Sequence, residues 1–210
     1  MNILVIYGTT EGQTRKIASF LADRIRDRGE TVMLIDSTDF PKGLDVDGSD
    51  AVIAAGSVHN GRHQAALFQF AHDQLAALQA KPTAFVSVSL SMASDDKEDR
   101  LDAASCADRF LSAAEWKPTV THLVAGAIRY SQYDFFKSWI LRMIASTKGA
   151  STDTSQDHEF TDWKDLDAFV DAFLTQVAEH EGQTGKPPEK HAFVAEESEL
   201  FARDKDAAER

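Results

Sequence analysis

Ile3-Leu4-Val5-Ile6-Tyr7-Gly8-Thr9-Thr10-Glu11-Gly12-Gln13-Thr14 is an apolar run followed at once by a hydroxyl-rich turn. An amphipathic run begins just beyond it, near Arg15. Apolar strand, tight turn and helix start make the first half of a βαβ unit. At such a junction the first helical turn carries backbone N–H groups without intrahelical acceptors and the positive end of the helix dipole, so it suits a phosphate. Gly12 allows close backbone approach. Thr9, Thr10 and Thr14 supply hydroxyl donors.

The turn has no lysine, which excludes a Walker loop, and it lacks the Gly-x-Gly-x-x-Gly spacing of dinucleotide sites. Neutral donors alone suit a monophosphate such as that of FMN. The same residues also suit a plain helix cap, and local chemistry leaves both readings open.

Outward from this stretch, the chain alternates strands and helices. Residues 2–7 read as a strand apolar on both faces, as in the centre of a parallel sheet. Residues 13–28 read as a helix with Ile17, Leu21 and Ile25 on one face, ended by Gly29. Further strands are expected at 31–35, 50–55, 83–89 and 119–127. Helices are expected at 63–79, 101–115 and 162–179, with residues 90–100 as a polar loop. Five strands joined by helices predict an α/β domain with a parallel sheet and helices on both faces. Ligands of such sheets bind at the carboxyl ends of the strands, which here are the loops 8–14, 56–62 and 89–100.

The 210 residues are 43% hydrophobic, enough for one domain with a full core. The net charge of −12 argues against non-specific nucleic-acid binding. A single cysteine, Cys106, excludes an intrachain disulfide and a cysteine-based metal site; it reads as a small core residue, and no metal is expected. No basic stretch precedes the first strand and no apolar run is long enough to span a bilayer, so a cytoplasmic protein is expected.

Between strand five and the last helix lies an insertion, 129–158, of about thirty residues, too long for an ordinary connection. Inside it, 133–147 reads as a helix with Phe136, Trp139, Ile140, Met143 and Ile144 on one stripe and Lys137, Arg142 and Lys148 off it. That pattern suits a helix lying on an anionic membrane surface, but also a helix packed on the domain, which is what most such stripes do. Beyond it, residues 180–210 are charge-rich and interrupted by Gly182, Gly185, Pro187 and Pro188, and read as a flexible tail after a domain of residues 1–179.

Thr-x-Glu-Gly-Gln-Thr after an N-terminal strand resembles the FMN phosphate loop of the flavodoxin superfamily. More narrowly, Gly126-Ala127-Ile128-Arg129-Tyr130-x-x-Tyr133, Thr152-Asp153-Thr154 and Phe160-Thr161-Asp162-Trp163 resemble the flavodoxin-type, menaquinone-dependent protoporphyrinogen IX dehydrogenases. Gly12 to Ser19, Ser87-Val88-Ser89-Leu90 and Trp116-Lys117-Pro118 agree, so the likeness spans about residues 1–178 in order. It implies a flavodoxin-like five-stranded sheet with a helical insertion near strand five. It also implies an FMN enzyme of haem synthesis that oxidises protoporphyrinogen IX to protoporphyrin IX and passes the electrons to menaquinone or ubiquinone.

Carried onto this chain, the resemblance gives the FMN phosphate to Thr9, Thr10, Glu11, Gly12, Gln13 and Thr14. It sets Ser57, Val58, His59, Asn60, Gly61, Ser89, Leu90 and Ser91 along the isoalloxazine ring. Arg129 would meet a substrate propionate, and Tyr130 and Tyr133 would stack on a flat ring. Peripheral membrane contact would run through 133–147. No side chain is assigned as acid or base. The second loop offers His59, Asn60 and His63 where such loops often place an aromatic ring, and Ser94 to Arg100 is acidic where a basic stretch would better suit an anionic substrate. Two other functions remain open: a soluble flavodoxin-type electron carrier, favoured by the acidic surface, and a flavin quinone oxidoreductase of other specificity.

Overall fold

The computed structural model describes residues 1–41, 44, 46–128 and 158–184. Five strands form one sheet: β1 (Asn2–Gly8), β2 (Thr31–Asp36), β3 (Ala51–Ser57), β4 (Thr83–Ser89) and β5 (Val120–Ala125). Their order is β2-β1-β3-β4-β5, and every pairing is parallel. β1 holds the register of the centre, pairing Ile3 with both Val32 and Ala51. Among the described residues five α-helices accompany the sheet: α1 (Gln13–Asp27), α2 (Ala65–Asp73), α3 (Leu75–Gln79), α4 (Lys97–Ala113) and α5 (Trp163–Thr184).

Alternation along β1 sends its side chains to two cores. Ile3, Val5 and Tyr7 meet Ile17, Leu21 and Ile25 of α1 and Leu166, Val170 and Phe173 of α5. Leu4 and Ile6 face the opposite layer, with Leu67 and Phe70 of α2, Leu78 of α3, and Phe110 of α4 beside Phe85 and Trp116. Both faces of the sheet are therefore covered, which is why β1 reads as a continuous apolar run. Cys106 is buried on α4 and accepts a hydrogen bond from Arg109 Nη2 at 3.0 Å. Arg28, just past α1, ties that helix to α5 through Asp171 Oδ1 at 2.5 Å and Asp167 Oδ1 at 3.0 Å.

The structure departs from the sequence expectations in four places. The helix expected at 63–79 is two, α2 and α3, with the chain turning at Gln74; no glycine or proline marks the break. The polar segment 90–100 is a 3₁₀ turn (Leu90–Ala93) followed by the start of α4 at Lys97. Its acidic residues begin a helix: Asp96 accepts from the Glu98 N–H at 2.9 Å, and Glu98 and Asp99 sit in the first turn, where the dipole favours negative charge. The strand expected to 127 ends at Ala125. Beyond Gly126, β6 (Ala127–Ile128) pairs antiparallel with β7 (His158–Glu159), forming a short ribbon at the two ends of the insertion. Finally, α5 continues through Gly182 to Thr184; a Cβ at Gly182 would meet nothing within 4 Å, so this glycine costs only helix propensity, about 1 kcal/mol. The segments 129–157 and 185–210, including the helix expected at 133–147, lie outside the described residues.

Candidate functional site

The carboxyl ends of β1, β3, β4 and β5 open into one cleft of about 240 Å³. Thr9, Thr10, Glu11, Gln13 and Thr14 line it from the first loop. Ser57, Val58, His59, Asn60 and Gly61 line it from the second, and Ser89, Leu90 and Ser91 from the third. Val88, Gly126 and Ala127 complete the wall. Gly12 stands behind it, in the left-handed conformation (φ 91°) that turns the chain into α1, with its N–H donated to Thr9 Oγ1 at 2.9 Å. Arg129, Tyr130 and Tyr133 lie outside the described residues.

The N-cap residue of α1 is Gly12, which has no side chain to cap the helix. Gln13 and Thr14 of the first turn line the cleft, so the positive end of the helix dipole lies beside it. Two hydroxyls carry the point further. Thr14 Oγ1 and Ser89 Oγ are buried with no hydrogen-bond partner among the described residues, and both residues line the cleft. A buried unpartnered polar atom costs free energy and calls for a reason; here a ligand's acceptor atoms would supply it.

The second loop is shaped by Asn60-Gly61, whose φ values of 49° and 74° are those of a type I′ turn. His59 and Arg62 exchange two backbone hydrogen bonds across it, at 2.8 and 3.1 Å. Val58 N–H donates to Val88 O at 2.7 Å, which ties the loop to β4. His59 Nδ1 lies 3.4 Å from Glu11 Oε1, so the first and second loops meet at the cleft mouth.

On the other flank, Gln13 Nε2 donates to Thr161 Oγ1 at 2.9 Å and to Glu159 Oε1 at 3.2 Å. Lys16 Nζ pairs with Glu159 Oε2 at 2.6 Å. Burial works against the Glu159 charge, but the hydrogen bonds from Lys16 and Gln13 hold its pKa below the usual value. A second hollow of about 210 Å³ opens here between α1 and the β6–β7 ribbon, and it shares Glu11, Gln13 and Ala127 with the cleft. Ile128, just before the insertion, and His158, at its end, line this hollow.

Sequence reasoning missed the surroundings of one residue and the reach of another. His63, expected in the second loop where an aromatic ring is usual, packs inward and does not line the cleft. Its Nε2 lies 2.9 Å from Ser87 Oγ, and its ring packs on Phe85 and Phe110 with centroids at 5.1 and 5.0 Å. Burial, helped by the Arg109 charge, pushes the imidazole down to about 4. The unfolded chain takes up this proton near pH 6.5 and the folded chain only near 4, so stability falls as pH drops through that window, by up to about 3 kcal/mol. His63→Gln is expected to flatten this slope in urea unfolding at pH 7, 5.5 and 4; equal slopes in both proteins would contradict it. The other is Gln64, whose amide reaches both Thr10 and Ser57. Among the described residues no group of His, Cys, Asp and Glu side chains is arranged to hold a metal ion.

A family model, the flavodoxin domain, matches residues 4–155. The chain belongs to the flavodoxin domain family. Within this family setting, it is 29% identical over 172 residues to the protoporphyrinogen IX dehydrogenase (quinone) of Escherichia coli K12, covering 81% of this chain and 93% of that one. The protein of the same name from Leishmania major is 29% identical over 172 residues, covering 81% and 73%. Among solved structures, the rubredoxin oxygen:oxidoreductase of Desulfovibrio gigas aligns with a TM-score of 0.53 at 14% identity, over 85% of this chain and 36% of its own. The flavodoxin of Streptococcus pneumonia TIGR4 aligns with a TM-score of 0.50 at 15% identity, over 84% and 99%. These two likenesses concern the flavodoxin fold alone.

Proposed function

We propose that the cleft binds FMN and that the chain oxidises protoporphyrinogen IX to protoporphyrin IX in haem synthesis, passing the electrons to a membrane quinone, menaquinone or ubiquinone. The observation that carries the cofactor is the buried Thr14 hydroxyl at the start of α1, which lines the cleft and has no hydrogen-bond partner among the described residues. The substrate and acceptor rest on the names of the Escherichia coli and Leishmania major relatives.

The residues present fit a flavin monophosphate. Hydroxyls of Thr9, Thr10 and Thr14 and the first-turn N–H groups of α1 are neutral donors, and the helix dipole supplies the positive field that a missing lysine would otherwise give. Ser57 to Gly61 and Ser89 to Ser91 would flank the ring. FMN supplies the redox chemistry when bound, and the protein supplies position and electrostatics.

The hollow beside Gln13 and Lys16 extends the site toward the ends of the insertion. Arg129 would bind a propionate and Tyr130 and Tyr133 would stack on the substrate ring, as the resemblance implies. The stripe at 133–147 would meet the membrane that holds the quinone. No helix among the described residues is long and apolar enough to cross a bilayer.

The test is anaerobic. Purified protein loaded with FMN is given protoporphyrinogen IX and a menaquinone analogue, and porphyrin fluorescence is followed. Fast, quinone-dependent appearance of protoporphyrin is expected. No acceleration over the protein-free control, with FMN bound, would contradict the enzyme. It would favour an electron carrier, whose net charge of −12 suits docking on basic partners.

A further inference from the structure

Gln64 stands at the N-cap of α2, with φ −62° and ψ 137°. Its carbonyl receives the Phe68 N–H at 3.1 Å, as an N-cap carbonyl should. Its side chain does not cap the helix. Instead, Nε2 reaches Ser57 Oγ at 2.5 Å and Thr10 Oγ1 at 3.1 Å. One amide thus joins the first loop to the end of β3, between two residues that both line the cleft. Gly8 makes room for it: a Cβ there would come within 3.0 Å of Gln64 Oε1 and 3.1 Å of its Cβ. A position where Ser, Thr, Asp or Asn would stabilise the helix start is occupied by a side chain that serves the cleft, the kind of broken local rule that marks functional sites.

We infer that Gln64 is a positioning residue that fixes the Thr10 and Ser57 hydroxyls as hydrogen-bond donors toward the ligand of the cleft. A hydroxyl carries one proton and two lone pairs. With Nε2 placed against both oxygens, the amide protons of Gln64 take a lone pair on each and leave each hydroxyl proton free for an acceptor in the cleft, while Gln64 Oε1 is buried with no hydrogen-bond partner among the described residues. A ligand rich in acceptors, such as a phosphate joined to a ring bearing carbonyl and nitrogen lone pairs, is matched by this polarity. The inference rests on the flavin reading and concerns this chain's own side chains.

The test is a double-mutant cycle read by FMN and riboflavin titration, with thermal unfolding of the flavin-free proteins alongside. Gln64→Met keeps the length and volume and removes the amide. It is expected to weaken FMN binding about tenfold, with Tm little changed. In a background carrying Thr10→Val and Ser57→Ala, the same substitution is expected to cost less than about twofold, because the hydroxyls it acts on are gone. Riboflavin, lacking the phosphate, is expected to lose less than FMN. An unchanged affinity in Gln64→Met, or an equal loss in both backgrounds, would overturn the role of Gln64 while leaving the flavin site standing. Failure of the unsubstituted chain to bind either flavin would overturn the flavin reading itself, and the role of Gln64 with it.

Discussion

Thr14→Val is expected to weaken FMN binding by roughly ten- to a hundredfold while leaving the flavin-free protein as stable as before, or more stable. The opposite signs follow from one hydroxyl. Thr14 is fully buried, and its Oγ1 has no hydrogen-bond partner among the described residues. Replacing an unpartnered buried hydroxyl with a methyl group of the same shape removes a desolvation penalty of about 1–3 kcal/mol from the flavin-free state. With a phosphate in place, the same change removes a bond to a charged acceptor, worth about 1.5–3 kcal/mol. Urea unfolding of the flavin-free protein and an FMN titration check the two halves separately. A loss of stability without a loss of affinity would make Thr14 a support of the fold and not of the ligand.

Phe85→Ala carries the largest expected cost to stability, about 3–5 kcal/mol. Phe85 is fully buried on β4 and is the centre of an aromatic cluster. It stacks on Phe110 with centroids 4.7 Å apart and planes 7° from parallel, and it meets the Trp116 ring edge-on at 5.7 Å. Trp116 is held in turn by a hydrogen bond from its Nε1 to Thr83 Oγ1 at 3.2 Å. Little can collapse into the space that Phe85 leaves, because its neighbours are large rings in fixed orientations. The effect also reaches the cleft. His63 rests on Phe85 and Phe110, directly after the second loop, so the substitution removes part of the floor under it. Admission of water there would return the His63 pKa toward its usual value and shrink the pH dependence of stability between 6.5 and 4. Chemical denaturation at two pH values reads both consequences. A destabilisation below about 1 kcal/mol would show that the cluster repacks and does not define the site floor.

The sheet was legible because its signals are local. Apolar runs of strand length separated by amphipathic stretches specify a parallel α/β order, and β1 shows this most clearly. The three loops at the strand ends were legible for the same reason, since a βα junction names its own cleft-lining residues. The start of α4 carried a local signal that charge composition obscured. Asp96 followed by Glu98 and Asp99 is a cap with an acidic first turn, although the stretch resembles a solvated loop.

What stayed hidden depends on contacts distant in sequence. Gln64 meets Thr10 across 54 positions and His63 meets Ser87 across 24, so neither partner is visible in a local window. The bond between Lys16 and Glu159 spans 143 positions and exists only because the β6–β7 ribbon returns the chain beside α1. The turn at Gln74 has no residue that announces it. Arg129, Tyr130 and Tyr133 are named by resemblance to protoporphyrinogen dehydrogenases and lie outside the described residues.

The central claim is that the three loops at the carboxyl edge of the sheet seat a flavin by way of the start of α1. It is tested most directly by backbone amide NMR shifts of the isotope-labelled protein, recorded while FMN is added. Large shifts are predicted at Thr9 to Arg15, at Ser57 to Gly61 and at Ser89 to Ser91, with the groove between Lys81 and Gln183 at the opposite edge unmoved. Shifts centred on that opposite groove, or saturating FMN with no response at the start of α1, would contradict it.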